Sequence, residues 1–462
     1  MAEGSTSKRI IILGAGITGL SAGIRFLGSG CDVSILEKAG HPGGLAKTEV
    51  RGNYRLDIGP HHLFSQNETV LKEITDLFER DELISISRDA KIYFYDRFLN
   101  YPLTAKSVLF HIGLKHAFFA SMSYIWLAFR KVFFRNSSKD NFQDWARDNF
   151  GHYLYNIFFK PYTEQFWGIP CKELSVDCIP QVSKMSFGKT LKMIFLKRFE
   201  KESLSVAERE TSLTLFYPVK GIGEIAKKLT DVFLSKGGTI ELNCTVSEII
   251  SDEGETLTLH YQNGTVKTQD KAAHVISTIP ISSLVQILKP APPDVILQSA
   301  YSLGYLSTIV LYIVIHDRDV LDCAYLYIVD RPYNRVSNIN RFHRQLSPEG
   351  ENVLALEITC HFNDDTWESS DDELFEKCIA HLESDGIIRR DEVKQFFTIR
   401  AKNTYPFYRL GYGKHQMKIF KHFEKTPITF VGRTGAFKYM DIDQCMEDTA
   451  DLVKRFKTEG VI

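Results

Sequence analysis

Three glycines, Gly14, Gly16 and Gly19, follow the apolar run Arg9–Leu13 ("RIIIL") in a G-x-G-x-x-G spacing, and an acid, Glu37, closes the next apolar run, "CDVSILEK" from Cys31. The first glycine of such a set permits a tight turn, the second lets a pyrophosphate approach the backbone, and the third lets a helix pack close against a strand. The helix N-terminus adds partial positive charge there, and an acid spaced like Glu37 meets a ribose hydroxyl. These residues predict a dinucleotide site. Further on, "HPGGLAK" supplies Gly43 and Gly44, and "DIGPHHLFS" from Asp57 supplies Gly59, His61 and His62. Two adjacent histidines on a glycine-proline turn read, by themselves, as satisfied loop residues.

Those residues need a scaffold. Strand, glycine turn, helix and strand within about thirty residues predict a right-handed βαβ unit, hence an α/β fold. An amphipathic helix is expected from Val70 to about Leu83, and a turn-rich segment, "KIYFYDRFLNYPL", before long apolar helices that end near Glu200. The polar run "ESLSVAERETSL" from Glu202 reads as a loop. After it come a helix, a strand and a hairpin turning at Asn263-Gly264, then the strand "VISTI" from Val275. The runs "TIVLYIVI" and "VLALEITCHF" read as further strands, with a helix around Asp372–Ser384, and the tail reads strand, loop, helix. The expected organisation is a discontinuous nucleotide domain over 8–84, 212–275 and 411–462, a helical insertion over 85–211 and a mostly β substrate region over 276–410.

Composition removes several function classes. A formal net charge of -1 leaves no excess of cations for a nucleic-acid backbone. The eight cysteines are scattered, without a C-x-x-C pair or a Cys/His cluster at ligand spacing, so no metal is expected and a reduced, cytoplasmic compartment fits. The N-terminus lacks the build of a signal peptide, and residues 1–7 read as disordered. No H-E-x-x-H, Walker or nucleophile-elbow pattern occurs, which disfavours a hydrolase or metal enzyme. The stretch "KSVLFHIGLKHAFFASMSYIWLAFRKVFF" from Lys106 is rich in apolar and aromatic residues, yet its uninterrupted part, Phe118 to Phe129, is too short to cross a bilayer. It is expected to be buried core; with Arg130, Lys131 and Arg135 behind it, rest on a membrane surface is the alternative.

The order glycine turn, acid, Gly-Gly resembles flavoproteins of the glutathione-reductase-like superfamily. The resemblance implies a Rossmann-like domain binding FAD rather than NAD, through Gly14, Gly16, Gly19, Glu37, Lys38, Gly43, Gly44, Leu45, Gly59, His61, Val246, Arg433 and Asp441. More narrowly, "LDIGPHHLFS" is similar to the loop of the UDP-galactopyranose mutases that carries a histidine over the flavin ring; this implies His61 beside the isoalloxazine, with His62 its less constrained neighbour. "FLNYPL", "PYTEQFWGIPCKEL" with Trp167, "PYNRV" with Arg335, "TYPF" with Tyr405 and "GRTGAFKYMDIDQ" with Arg433, Tyr439 and Asp441 are similar to stretches of the same family. The patches span the whole chain.

Membership of that kind implies pyranose/furanose interconversion of a nucleotide sugar with reduced flavin as nucleophile. His61, Arg335, Tyr405 and Tyr439 would serve the chemistry, and Trp167, Lys184, Arg335, Tyr405 and Tyr439 would hold the substrate. One feature departs from the family: bacterial mutases carry an arginine after the W-G pair, whereas Ile169 stands here and the neighbouring "CIPQVSKMSF" has no arginine, leaving Lys184 as a point charge without a fork. Amine-oxidase and protoporphyrinogen-oxidase relatives share the first patches and variants of the last. Net oxidation or desaturation of a small molecule is therefore the alternative.

Overall fold

The continuous apolar character of Arg9–Leu13 and Asp32–Leu36 is what a strand covered on both faces requires, and these two strands pair in parallel at the centre of a five-stranded sheet. The sheet order is Ile428–Phe430, His274–Ser277, Arg9–Leu13, Asp32–Leu36, Thr239–Glu241, all parallel. The helices Ile17–Leu27, Gly223–Ser235 and Ile442–Thr458 pack against it and against one another. This is a computed structural model, which describes residues 8–59, 61–86, 89–94, 97–101, 114–133, 140–178, 215–251, 256–318 and 320–462. Lys184, most of "CIPQVSKMSF", residues 1–7 and the polar run from Glu202 lie outside the described residues.

A second, seven-stranded sheet runs in the order Val393–Pro406, Tyr305–His316, Glu351–His361, Arg335–Asn338, Tyr325–Ile328, Ala90–Phe94, Arg97–Tyr101. Its second strand, Tyr305–His316, lies between Val393–Pro406 and Glu351–His361 and is buried from Tyr305 to Ile315. The hairpin at Asn263-Gly264 forms, pairing Asn263 with Val266. Two expectations change. The segment "KIYFYDRFLNYPL", placed in the helical insertion, contributes a hairpin whose strand Ala90–Phe94 adds in parallel to Tyr325–Ile328, so the β region recruits chain from the start of the expected insertion. The helix expected over 70–83 spans only Glu68–Thr75, capped by the Asn67 side chain, because Leu83–Ile86 is taken as a strand by Leu215–Pro218.

The aromatic helix Leu114–Phe133 also differs from expectation. Its inner face carries Ala120, Ser123 and buried Leu127, and the Ser123 hydroxyl accepts from the Tyr153 N–H at 3.1 Å, where the helix Phe142–Leu154 is kinked at Gly151. Phe118, Met122, Ile125 and Trp126 are exposed, which overturns the buried-core reading.

Candidate functional site

The dinucleotide cradle is assembled from glycine backbone. Gly14 takes φ 101°, and a side-chain carbon there would lie 2.5 Å from the Thr278 hydroxyl. Gly19 is tighter: a Cβ would fall 1.9 Å from the Gly14 carbonyl oxygen. Gly16 begins the helix Ile17–Leu27 with no side-chain cap, which leaves the first-turn N–H groups as anion donors. Gly44 presses against it, since a Cβ on Gly44 would sit 3.2 Å from the Gly16 Cα, and the Gly43 N–H donates to the Ala15 carbonyl at 2.8 Å. Glu37 accepts from the Ala15 N–H and the Ala39 N–H, both at 2.7 Å, so its carboxylate is fixed at the strand end. The strand bearing Val246 joins there, the Cys244 N–H donating to the Glu37 carbonyl at 2.8 Å, with a bulge just past Val246. Leu45 is half-buried beside this region, while Lys38 points to solvent.

From the cradle the chain reaches Asp57, a fully enclosed carboxylate that anchors the histidine loop. It accepts from the Thr48 and Tyr217 hydroxyls, both at 2.6 Å, and from the Ile222 N–H at 3.1 Å, and its carbonyl accepts from Tyr312. Burial pushes its pKa up to about 6, against the pull of the three donors. Two residues on, Gly59 has φ 71°, and a Cβ there would meet the Glu357 carboxylate at 3.4 Å. His61 is half-buried on the same loop. His62, expected to be the less constrained, shares a 2.8 Å hydrogen bond between Nδ1 and the Tyr325 hydroxyl.

Tyr325 leads to the charged centre. The guanidinium of Arg335 lies 4.9 Å from the Tyr325 ring and 5.8 Å from that of Tyr327, and it pairs with Glu357, Nη2 to Oε1 at 2.5 Å and Nε to Oε1 at 2.6 Å. Register produces this pair: Arg335 and Glu357 stand directly opposite on adjacent antiparallel strands. Burial pushes the Glu357 carboxyl up from its ordinary range, and Arg335 pulls it back down. Gln165 fixes the approach of the Arg335 strand, donating to the Tyr333 carbonyl and accepting from the Asp330 N–H.

The C-terminal motif closes the other side. Gly432, at φ 77°, brings this loop so close to the first turn of the helix Ile17–Leu27 that a Cβ would fall 2.3 Å from the Thr18 hydroxyl. The next residue, Arg433, has its guanidinium 4.6 Å from both the Tyr405 and the Tyr439 rings, which stack 6.0 Å apart at 8°. Arg433 makes no ion pair among the described residues, and its buried Nε–H finds no acceptor there. Tyr439 donates to Asp441 at 3.1 Å, and Asp441 begins the helix Ile442–Thr458. Tyr162, its phenol pushed up by burial, joins the two halves: Tyr327, Arg335, Tyr405 and Glu357 all act on it electrostatically.

The structure thus gathers Arg335, Tyr405, Tyr439, Arg433 and Asp441 with the histidine loop in one region. Trp167 does not join them as a ligand-contacting group; it is fully buried among Phe166, Phe407 and Tyr408 and acts in packing. Glu357, Tyr325 and Tyr327 were not anticipated as site residues, whereas Tyr162 could be read from the sequence equally as helix packing or as a ligand-stacking ring. The one signal for Glu357 was a lone acid inside the apolar strand "VLALEITCHF". Among the described residues there is no group of His, Cys, Asp and Glu fit to hold a metal ion, and no helix long and apolar enough to cross a membrane. All eight cysteines are buried and unbridged.

The residues fit a flavin dinucleotide. A side chain at Gly14 or Gly19 would collide with its surroundings, Gly44 holds a φ of 58° against Gly16, Glu37 stands fixed at its strand end, and Arg433 brings an orphaned buried donor next to the Thr18 turn. Comparison with known proteins agrees. The family model of flavin-containing amine oxidoreductases matches residues 17–426. Among curated relatives, an all-trans-zeta-carotene desaturase of Myxococcus xanthus is 33% identical over 102 residues, covering 20% of this chain and 19% of that protein. A 4,4'-diapophytoene desaturase of Methylomonas sp. is 24% identical over 338 residues, 67% of this chain and 61% of its own length. The chain therefore matches less than two thirds of either relative. Among solved structures, a reduced UDP-galactopyranose mutase superposes with a TM-score of 0.80 at 19% identity, covering 99% of this chain and 94% of that one. A putative protoporphyrinogen oxidase from Exiguobacterium sp. 255-15 gives 0.73 at 18% identity, covering 99% and 100%.

Proposed function

Because the chain belongs to the family of flavin-containing amine oxidoreductases and its cofactor is FAD, we propose that it is a nucleotide-sugar mutase interconverting pyranose and furanose rings. The observation that carries this reading is the pair of buried guanidinium groups, Arg335 beside the Tyr325 ring and Arg433 beside the stacked phenols of Tyr405 and Tyr439, with Tyr405 close enough to act electrostatically on Arg335 as well. A diphosphate calls for fixed cations and phenol donors, which lose little entropy on binding because packing already holds them. FAD, when bound and reduced, supplies the nucleophile of such a reaction. The chain's part is to position. Arg335 is held on its strand by Glu357 and would present its guanidinium edge to phosphate oxygens, while Tyr405, from the edge strand Val393–Pro406, and Tyr439, by exchanging its Asp441 partner, would offer hydroxyls. Gly59 lets the His61–His62 loop pass close to the Glu357 carboxylate.

One observation favours a second reading. The Glu357 carboxylate cancels the charge of Arg335, which weakens a diphosphate site and suits a neutral or cationic small molecule undergoing net oxidation. The two readings differ in the fate of electrons. Dithionite-reduced protein incubated with a panel of nucleotide sugars should give ring-contracted isomers with no reductant consumed per turnover. Oxygen consumption with peroxide release on a small-molecule substrate, and no isomer from any sugar, would overturn the mutase reading in favour of the oxidase. A second expectation concerns His61: His61→Ala should shift the flavin reduction potential while leaving FAD stoichiometry intact. An unchanged potential and turnover would leave His61 a loop residue only.

A further inference from the structure

We propose that the outer face of the helix Leu114–Phe133 docks the protein on an anionic phospholipid surface. Phe118, Met122, Ile125 and Trp126 are exposed by 60%, 49%, 59% and 71%. At helical spacing they fall within an arc of about 100°, and Leu127, packed inward, lies opposite it. The helix is held from behind by the Ser123–Tyr153 hydrogen bond and the stack of Phe119 on Tyr153 at 5.5 Å, so the apolar face is a fixed feature of the surface. Water-facing surfaces rarely carry such a patch without a partner for it.

Charge selects the partner. From Arg97 to Lys139 the chain has no Asp or Glu but seven Lys or Arg: Arg97, Lys106, Lys115, Arg130, Lys131, Arg135 and Lys139. Over the whole chain the counts nearly balance, with 56 basic and 57 acidic residues, so this concentration is local. Exposed Lys115 stands in the first turn of the helix, and the sequence puts Arg130 and Lys131 in its last turns. An aromatic-rich apolar face with basic ends suits the headgroup boundary of a bilayer: the rings enter the acyl edge, and the cations meet lipid phosphates. A second copy of this chain would place the same cations against one another.

The test uses FAD-loaded full-length protein and sedimentation with phosphatidylcholine vesicles, with or without phosphatidylglycerol. Binding should appear with the anionic vesicles, weaken as salt rises, and fall at least about tenfold in Ile125→Ser/Trp126→Ser with flavin content unchanged. Should that variant lose its flavin, Phe118→Ser/Met122→Ser and the salt dependence of the unaltered protein decide the matter. Equal binding to neutral vesicles, or none to either kind, overturns the proposal. A dimer that Ile125→Ser/Trp126→Ser splits, without vesicle binding by the parent, overturns it in favour of a second copy as the occupant.

Discussion

Gly19→Ala should yield a protein that no longer retains FAD. A methyl group at Gly19 would lie 1.9 Å from the Gly14 carbonyl oxygen, 3.1 Å from its carbon and 3.4 Å from the Ile12 side chain. The first two atoms belong to the backbone of a turn already committed to φ 101°, so no rotamer change relieves the overlap. The helix Ile17–Leu27 would have to withdraw from the strand Arg9–Leu13, taking with it the first-turn N–H groups and the Thr18–Gly432 contact that brings Arg433 beside the cradle. Overpacking that forces side chains and backbone to shift costs about 1–3 kcal/mol; with two backbone atoms in the overlap, the effect should reach the upper end of that range. The measurements are flavin absorbance per chain after gel filtration and the melting temperature. Gly28→Ala is the control, since Gly28 has an ordinary helical φ of -63° and a Cβ there comes no nearer than 3.4 Å to anything. Full flavin content in Gly19→Ala would refute the close-packing account of the third glycine.

The cradle was legible in the sequence because its causes are local. A glycine is chosen at Gly14 by the φ of 101° that its turn requires and at Gly19 by the Gly14 and Ile12 atoms within a few ångströms, all in one strand-turn-helix unit, so spacing alone reports it. The same holds for the Asn263-Gly264 hairpin turn and for Glu37 at its strand end. Glu357 was not legible. Its meaning comes from antiparallel register with Arg335, and a shift of one residue would have turned the carboxylate to the other face of the sheet. Trp167 shows the converse: the W-G pair suggested ligand contact, but Gly168 ends the helix in a left-handed conformation at φ 69°, and the indole is sealed beneath Phe407 and Tyr408. The aromatic helix misled for a related reason. Periodicity shows which residues share a face and leaves open whether anything covers that face.

The pair Arg335–Glu357 gives the other large effect. Its side chains are 19% and 10% exposed, so both charges are largely withdrawn from water and each depends on the other. Arg335→Met should destabilise the protein by about 3 kcal/mol at alkaline pH, the low end for breaking a buried pair, because some exposure remains. The sign of the pH dependence follows from the carboxyl. With Arg335 gone, nothing on the facing strand opposes the upward push of burial on Glu357, so its folded pKa lies above its unfolded value. Such a group contributes stability while protonated, at acid pH, and that contribution disappears as pH rises through the folded pKa. Arg335→Met should therefore approach the parent's stability in acid and fall away from it in alkali. Replacing both residues, as Arg335→Met/Glu357→Leu, should recover most of the loss, since no uncompensated charge remains. Denaturant titration of the parent, both single variants and the double variant at two pH values measures the coupling; additive losses would mean that the pair does not act as a unit. Ligand binding adds a further distinction. If Arg335 takes a diphosphate, Glu357→Gln should tighten UDP binding by unmasking its charge, and Arg335→Met should weaken it by about tenfold or more, a cost near 1.4 kcal/mol. UDP affinity that ignores both substitutions would move the diphosphate away from this strand pair and leave net oxidation as the better account of the site.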